Sequence, residues 1–306
     1  MMEKQLKVTL LGATGFLGSA LSDSLERKGI EWIGVTVEPT QHPKIVTISP
    51  NDTRRLIQTI NDYPIVINAT GALKPKDFER NTKESLEKFW KLVEHFSAIY
   101  ASSKLEKLVH ISSGGTVYGE GSFNHSHKEK DILSPISWYG RAKLFEELHY
   151  EKLANTISAD YLCVRVSNPY GNPNKSNHGF IDVLINNILS GKDTVIYEDS
   201  DPIRDFVYAS DMADTIVNNL IKNELGTFNI ASGCSYSLME IVGFAKQFSS
   251  KVNVIRSGKK PEYDVLNNML DIRKTKNNNT YIRTTNVVNY IESKLNFVEK
   301  FENEAS

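Results

Sequence analysis

The sequence predicts an α/β fold, a doubly wound parallel sheet carrying a smaller C-terminal lobe, and three observations carry that prediction. Short β-rich runs alternate with helical patterns through the first half of the chain, a glycine cluster follows the first run directly, and the texture changes after Asn168. Alternation of this kind implies βαβ units, and right-handed crossovers place helices on both faces of the sheet. In order, the strand candidates are residues 7–11, 31–37, 44–48, 65–68, 108–112 and 160–166, with helical patterns over 15–28, 52–60, 81–102 and 137–155. From Asn168 to Asn174 the chain is turn-rich. A helix pattern then resumes over 179–189, and short β-like runs follow at 194–197 and 205–208. The expected division is a dinucleotide-binding domain over 1–167 and a mainly substrate-binding lobe over 168–306. Residues 228–230 and other segments of the second part are expected to rejoin the main sheet.

Composition excludes several classes of function. The 36 basic and 37 acidic residues leave a net charge of -1, which points to neither a nucleic-acid nor an anionic-membrane partner. With 40% hydrophobic residues the chain can bury a core without disulfides or a structural metal. Its two cysteines, Cys163 and Cys234, form no metal spacing, and Cys163 lies in an apolar run that reads as buried packing. No stretch approaches the ~18 apolar residues of a membrane span. The short apolar run 8–11 is no signal peptide, so the expected location is the cytoplasm. His125 and His127 read as a solvated loop pair without an i,i+4 partner, and no metal is expected.

The glycine cluster is Gly12-Ala13-Thr14-Gly15-Phe16-Leu17-Gly18. Gly12 permits a tight turn, Gly15 lets the backbone approach a pyrophosphate, and Gly18 allows close packing of the helix on the sheet. The helix amino terminus then offers N–H groups to phosphate. Thr14, Phe16 and Leu17 complete this candidate cofactor turn of a Rossmann-like domain. A ribose-reading acid is expected roughly 20 residues on, at the end of the second strand. Thr36 stands there, and Glu38 follows two residues later. Loss of the carboxylate removes a repulsion against a 2′-phosphate, so both NADPH and NADH remain open.

Tyr139 and Lys143 lie one helical turn apart and so on one face. A nearby cation lowers a tyrosine pKa toward working pH, which gives an acid/base for a sugar oxygen. The pattern is weak alone, since 13 tyrosines in a chain with 36 basic residues give ~1.5 such pairs by chance, and Tyr100/Lys104 and Tyr290/Lys294 repeat it. Only Tyr139 follows a strand ending in hydroxyls, Ser112-Ser113-Gly114-Gly115-Thr116-Val117-Tyr118-Gly119, and the carboxyl end of a central strand is where an open α/β sheet binds ligand. Tyr100 and Tyr290 are expected on helix surfaces.

Together with Asn81, Asn168-Pro169-Tyr170-Gly171, Arg204-Asp205-Phe206-Val207-Tyr208 and Asn229-Ile230-Ala231-Ser232-Gly233, these segments resemble the extended short-chain dehydrogenases, the NAD-dependent epimerase/dehydratase family that acts on nucleotide sugars. The resemblance runs from about Lys7 to Thr275. It implies that Tyr139 is the acid/base, that Lys143 binds the nicotinamide ribose and tunes Tyr139, and that Asn168 helps seat the substrate. Arg204 resembles the residue that grips the sugar-nucleotide diphosphate, unless it merely pairs with Asp201 or Asp205. It further implies a nucleotide-sugar substrate and a homodimer paired through the helices at 81–102 and 137–155. Gly114 stands where the family carries Ser or Thr, so Ser113 or Thr116, with Thr116 preferred, must supply the hydroxyl. Gly115-Thr116 replaces the Asp-Glu pair of the family's dehydratases, which disfavours water elimination. The leading expectation is NAD(P)H-dependent reduction of the C4 ketone of a nucleotide-linked 4-keto-6-deoxyhexose, in surface-polysaccharide precursor synthesis. The alternatives are a UDP-hexose 4-epimerase retaining NAD, and a non-catalytic nucleotide-binding regulator.

Overall fold

The computed structural model describes residues 5–71, 73–122, 125–175 and 178–304. Up to residue 166 the chain runs β1 (Lys7–Leu11), α1 (Phe16–Arg27), β2 (Glu31–Thr36), β3 (Ile45–Thr47), α2 (Thr53–Asp62), β4 (Ile65–Asn68), α3 (Pro75–Arg80), α4 (Thr82–Ala101), β5 (Lys107–Ser113), α5 (Trp138–Thr156) and β6 (Asp160–Val166). Beyond it come β7 (Asn168–Tyr170), α6 (Gly179–Leu189), β8 (Thr194–Ile196), β9 (Ile203–Tyr208), α7 (Ala209–Ile221), β10 (Gly226–Ile230), β11 (Ser235–Ser237), α8 (Leu238–Phe248), β12 (Val254–Arg256), β13 (Asn267–Asn268), α9 (Arg273–Asn277) and α10 (Val287–Glu304).

Seven strands form one parallel sheet in the order β10-β6-β5-β4-β1-β2-β3. The central strands are apolar on both faces; all four residues of β4 are buried. That is the pattern of a sheet covered on both sides. One layer sets α1 and α7 against Val8, Leu10, Val109, Ile111, Leu162 and Val164. The other sets α2, α4 and α5 against Leu11, Val66, Leu108 and Cys163, which is fully buried as its apolar run implied. Side chains that accept backbone N–H groups start α2 (Asp52), α4 (Asn81), α5 (Ser137) and α8 (Ser237).

The strand order reverses between β1 and β4, so the helices after these strands leave on opposite faces and open a crevice at the strands' carboxyl ends. Over that edge lies the smaller lobe. β9 pairs antiparallel with β11 and parallel with β13 and β7, while β8 pairs with β12. Its own core joins Ile181, Leu184 and Ile188 of α6 to Ile241 and Val242 of α8 and to Val287, Ile291 and Leu295 of α10. Residues 228–230 do return to the sheet, as β10 beside β6, and α7 packs against α1. The expected turn at 168–174 contains a strand, because Asn168, Pro169 and Tyr170 pair with Phe206, Val207 and Tyr208. Among the described residues no helix is long and apolar enough to cross a membrane.

Candidate active site

The cofactor end of the crevice is built from backbone and small residues. Gly12 takes φ +75°, and a Cβ there would lie 2.8 Å from the Ala69 carbonyl oxygen, so only glycine makes this turn. The N–H groups of Gly12 and Ala13 both donate to Val35 O, at 3.0 and 3.2 Å, and tie the turn to β2. A Cβ on Gly18 would fall 2.0 Å from Gly12 O. Its close approach is therefore to the turn itself rather than to the face of the sheet. Gly15 precedes α1 with no side-chain cap, which leaves the first N–H groups of the helix for a ligand. Phe16 and Leu17 follow on the helix, and both line the crevice. The Oγ1 atoms of Thr14 and Thr36 are 2.9 Å apart, and the Glu38 N–H donates to Thr36 Oγ1. Thr36 thus braces the turn, and Glu38 is the carboxylate that lines this end.

The catalytic end is built from side chains. Ser137 caps α5 by accepting the Gly140 N–H at 2.9 Å, and Tyr139 and Lys143 then project from the first turns of α5 into the cleft. Gly140, which the sequence reading passed over, lets α5 approach the hydroxyl segment: a Cβ there would meet Thr116 O at 2.8 Å. Thr116 Oγ1 is buried with no hydrogen-bond partner and Ser113 lines the same wall. Gly114 has a steric reason, since a Cβ would meet Leu270 Cδ1 at 2.5 Å and the Arg165 carbonyl oxygen at 3.0 Å. A side chain there would have to push the Leu270 methyl aside and crowd that carbonyl.

Lys143 Nζ donates to Ile111 O at 3.1 Å and to Glu146 Oε2 at 2.8 Å. Burial opposes its charge, but Glu146 and Tyr139 outweigh that and hold its pKa above the usual lysine value. Tyr139 departs from the sequence expectation. Burial raises its pKa, Lys143 lowers it and Glu146 raises it, and the net direction is up. The phenol is the resting form chiefly because it is buried, and Glu146 adds to that effect while Lys143 opposes it.

Asn168 Nδ2 donates to Asp205 O at 2.9 Å, which fixes the side chain where it lines the cleft. Arg204 also lines the cleft, but its partner is Asp264, at 2.8 Å, rather than Asp201 or Asp205. With further bonds to the carbonyls of Ile203, Val265 and Leu266, four of its five N–H donors are engaged. Lys74, Lys175 and His178, which carry no sequence motif, line the cleft as well. The cleft encloses about 1230 Å³ and runs continuously from Glu38 past Tyr139 to Arg204.

In the other two tyrosine–lysine pairs the lysines are exposed but the tyrosines are not. Tyr100 is fully buried in the α4 layer, and Tyr290 is half-buried against Tyr170 and Tyr208 with its hydroxyl 3.1 Å from Asp182. Neither lines the cleft. Of the two loop histidines, His125 is exposed as expected and His127 is not. His127 is buried and stacked on Tyr118 at 4.7 Å, and Asp131 is its i,i+4 neighbour. His125 Nε2 lies 2.7 Å from Asp131 Oδ2, which also accepts the Lys128 N–H, so these three side chains fasten the 125–131 loop.

The glycine cradle, the uncapped helix start and the lysine beside an open cleft fit a dinucleotide. Comparison with known proteins agrees. The model of the NAD dependent epimerase/dehydratase family matches residues 8–231. A dTDP-4-dehydro-6-deoxyglucose reductase from Escherichia coli is 26% identical over 253 residues, 77% of this chain and 79% of the reductase. A UDP-glucose 4-epimerase from Mycoplasma genitalium is 21% identical over 343 aligned positions, covering 100% of both chains. In fold, the chain is similar to a UDP-glucose 4-epimerase from Thermus thermophilus solved in complex with NAD, with TM-score 0.83, 19% identity, and coverage of 95% of this chain and 98% of that one.

Proposed function

The chain belongs to the NAD-dependent epimerase/dehydratase family, and on that premise we propose that it reduces the C4 ketone of a nucleotide-linked 4-keto-6-deoxyhexose, with dTDP-4-keto-6-deoxyglucose the first substrate to try. The observation that carries this reading is the arrangement at the catalytic end of the cleft, where Tyr139 lies beside Ser113 and Thr116 and Lys143 is drawn to Glu146 Oε2 at 2.8 Å; the similarity to the Escherichia coli reductase over 77% of this chain supports it.

When bound, the reduced nicotinamide supplies the hydride. Tyr139 donates its hydroxyl proton to the oxygen at C4 and is left as phenolate, which Lys143 stabilises until solvent returns the proton. Thr116, whose hydroxyl has no other partner, hydrogen-bonds the same sugar oxygen. Asn168 orients the sugar. Lys74 and Lys175 supply positive charge for the diphosphate, a duty that Arg204 shares only by releasing carbonyls it already holds. Glu38 favours NADH over NADPH, because a carboxylate suits a ribose hydroxyl and repels a 2′-phosphate. Gly115-Thr116 stands where the family's dehydratases carry their Asp-Glu pair, which disfavours water elimination.

A homodimer through α4 and α5 belongs to the same proposal. Trp90 and Leu148 are 42% and 60% exposed, and Trp90 packs edge-on to Phe145 at 4.4 Å.

The test is incubation with dTDP-4-keto-6-deoxyglucose and NADH or NADPH, following nicotinamide oxidation and identifying the sugar by NMR. Stoichiometric oxidation with a new 6-deoxyhexose supports the reductase. Interconversion of a UDP-hexose without added cofactor replaces it with the epimerase, the reading favoured by the Mycoplasma relative that spans the whole chain. Reduction should stay level through neutral pH and fall only as pH rises through the elevated tyrosine pKa, since the protonated form is the active one.

A further inference from the structure

Lys143 is held from below by a group that the family motif does not contain. Glu146 sits one turn further along α5, so its side chain faces the same way as that of Lys143. Its Oε2 lies 2.8 Å from Lys143 Nζ, and the residue is 9% exposed. With Ile111 O as second acceptor, two of the three ammonium donors are spoken for inside the protein.

The groups around this pair come from four elements. His110 of β5 places Nε2 3.9 Å from Glu146 Oε2. Both of its ring nitrogens are buried without partners, and burial and Lys143 hold it neutral. Tyr100 of α4 and Tyr150 of α5 pack edge-on in the same pocket, and both stay protonated through burial and the nearby Glu146 charge. Cys163 of β6 is likewise kept as a thiol, chiefly by burial. Glu147 and Arg165 lie on the far side of Cys163 and pair with each other, so Lys143 and Glu146 are the charges that act on Tyr139, and each is the other's counter-ion.

We propose that Glu146 is a positioning residue that biases the site toward proton donation: its carboxylate holds Lys143 back and offsets the lysine's charge, so that Tyr139 stands as the acid. The inference rests on the reading of Tyr139 and Lys143 as the working pair, and it deepens that reading by assigning the direction of proton transfer to a residue outside the motif. Mere neutralisation of a buried lysine would be met by any acceptor. A full negative charge near Tyr139 has a further consequence, because it opposes formation of phenolate.

The test needs neither substrate nor cofactor. Tyrosinate absorbance is titrated in the wild type and in Glu146→Gln, each with Tyr139→Phe as its blank, so that the difference reports Tyr139 alone. The amide keeps the size and can still accept from Lys143, but it removes the negative charge. The Tyr139 midpoint should fall by about one pH unit or more in Glu146→Gln. Glu146→Asp, which keeps the charge on a shorter arm, should lie between the two, and it serves alone if the amide variant fails to fold. A midpoint that is unmoved or raised in the folded variants overturns the proposal. If the sugar ketone is also a substrate, the alkaline fall of its reduction should move down in pH in parallel. Absence of ketone reduction beside a lowered midpoint would overturn the substrate reading and leave the role of Glu146 standing.

Discussion

Glu146 and Glu147 are neighbours on α5, both buried, and they face two different regions of the molecule. Glu147 meets Arg165 of β6 with both oxygens, at 2.7–3.2 Å, and accepts the Ser112 hydroxyl. Arg165 goes on to Tyr118 and the Glu129 carbonyl, and Tyr118 to Asn229 of β10. Every link in that chain is closed, and it ties three strands of the main sheet, β5, β6 and β10, to α5. The Glu146 side is unfinished: His110 has two unpartnered nitrogens and Thr116 an unpartnered hydroxyl. Closed buried networks hold a fold to one arrangement, and of the two open groups Thr116 lines the cleft, where a ligand can meet it, while His110 does not.

The sharpest way to break this comparison is Glu147→Gln. It strands the Arg165 charge, and should cost roughly 3–5 kcal/mol of stability in urea unfolding, the scale for removing one partner of a buried pair. A loss below about 1 kcal/mol would place Glu147 with the open group instead. Next comes Tyr139→Phe, expected to lower turnover by at least ~10²-fold, about 2.7 kcal/mol of barrier, while the unfolding midpoint and nucleotide affinity hold. Near-normal turnover would remove Tyr139 from the chemistry. Thr116→Ala should slow reduction about tenfold and Ser113→Ala less; the reverse order would move the hydroxyl role to Ser113. The smallest effect is expected at His110. Because its nitrogens bond nothing, His110→Leu should leave stability within about 1 kcal/mol or raise it, a marked loss being the result that would count His110 among the closed groups.

The sheet was legible in the sequence because its strands are short apolar runs bracketed by polar helices. The bounds of β4, β6 and α6 were read off residue by residue, and the strand at 228–230 was anticipated. β7 was not, because Asn168-Pro169-Tyr170-Gly171 carries turn chemistry and becomes a strand only by pairing with β9. α7 was missed for a similar reason: its helical pattern declares no destination, and its burial against α1 follows from the crossover. At the site, the glycine turn and the Tyr139–Lys143 spacing were readable because each is local. The surroundings of Tyr139 were not, and the expected fall in its pKa became a rise once burial and Glu146 were in place.

By itself, then, the sequence determined what lies within one turn or one strand: a glycine cradle that no side chain can enter, an uncapped helix start, and a phenol and an ammonium on one helix face. Tertiary structure alone decided the long-range partners. It gave Arg204 to Asp264, pressed Gly114 against Leu270, left His110 beside Glu146, and turned Glu147 toward Arg165. The physical reason is that periodicity fixes the direction a side chain points, whereas its charge state and duty depend on what the rest of the chain brings to meet it.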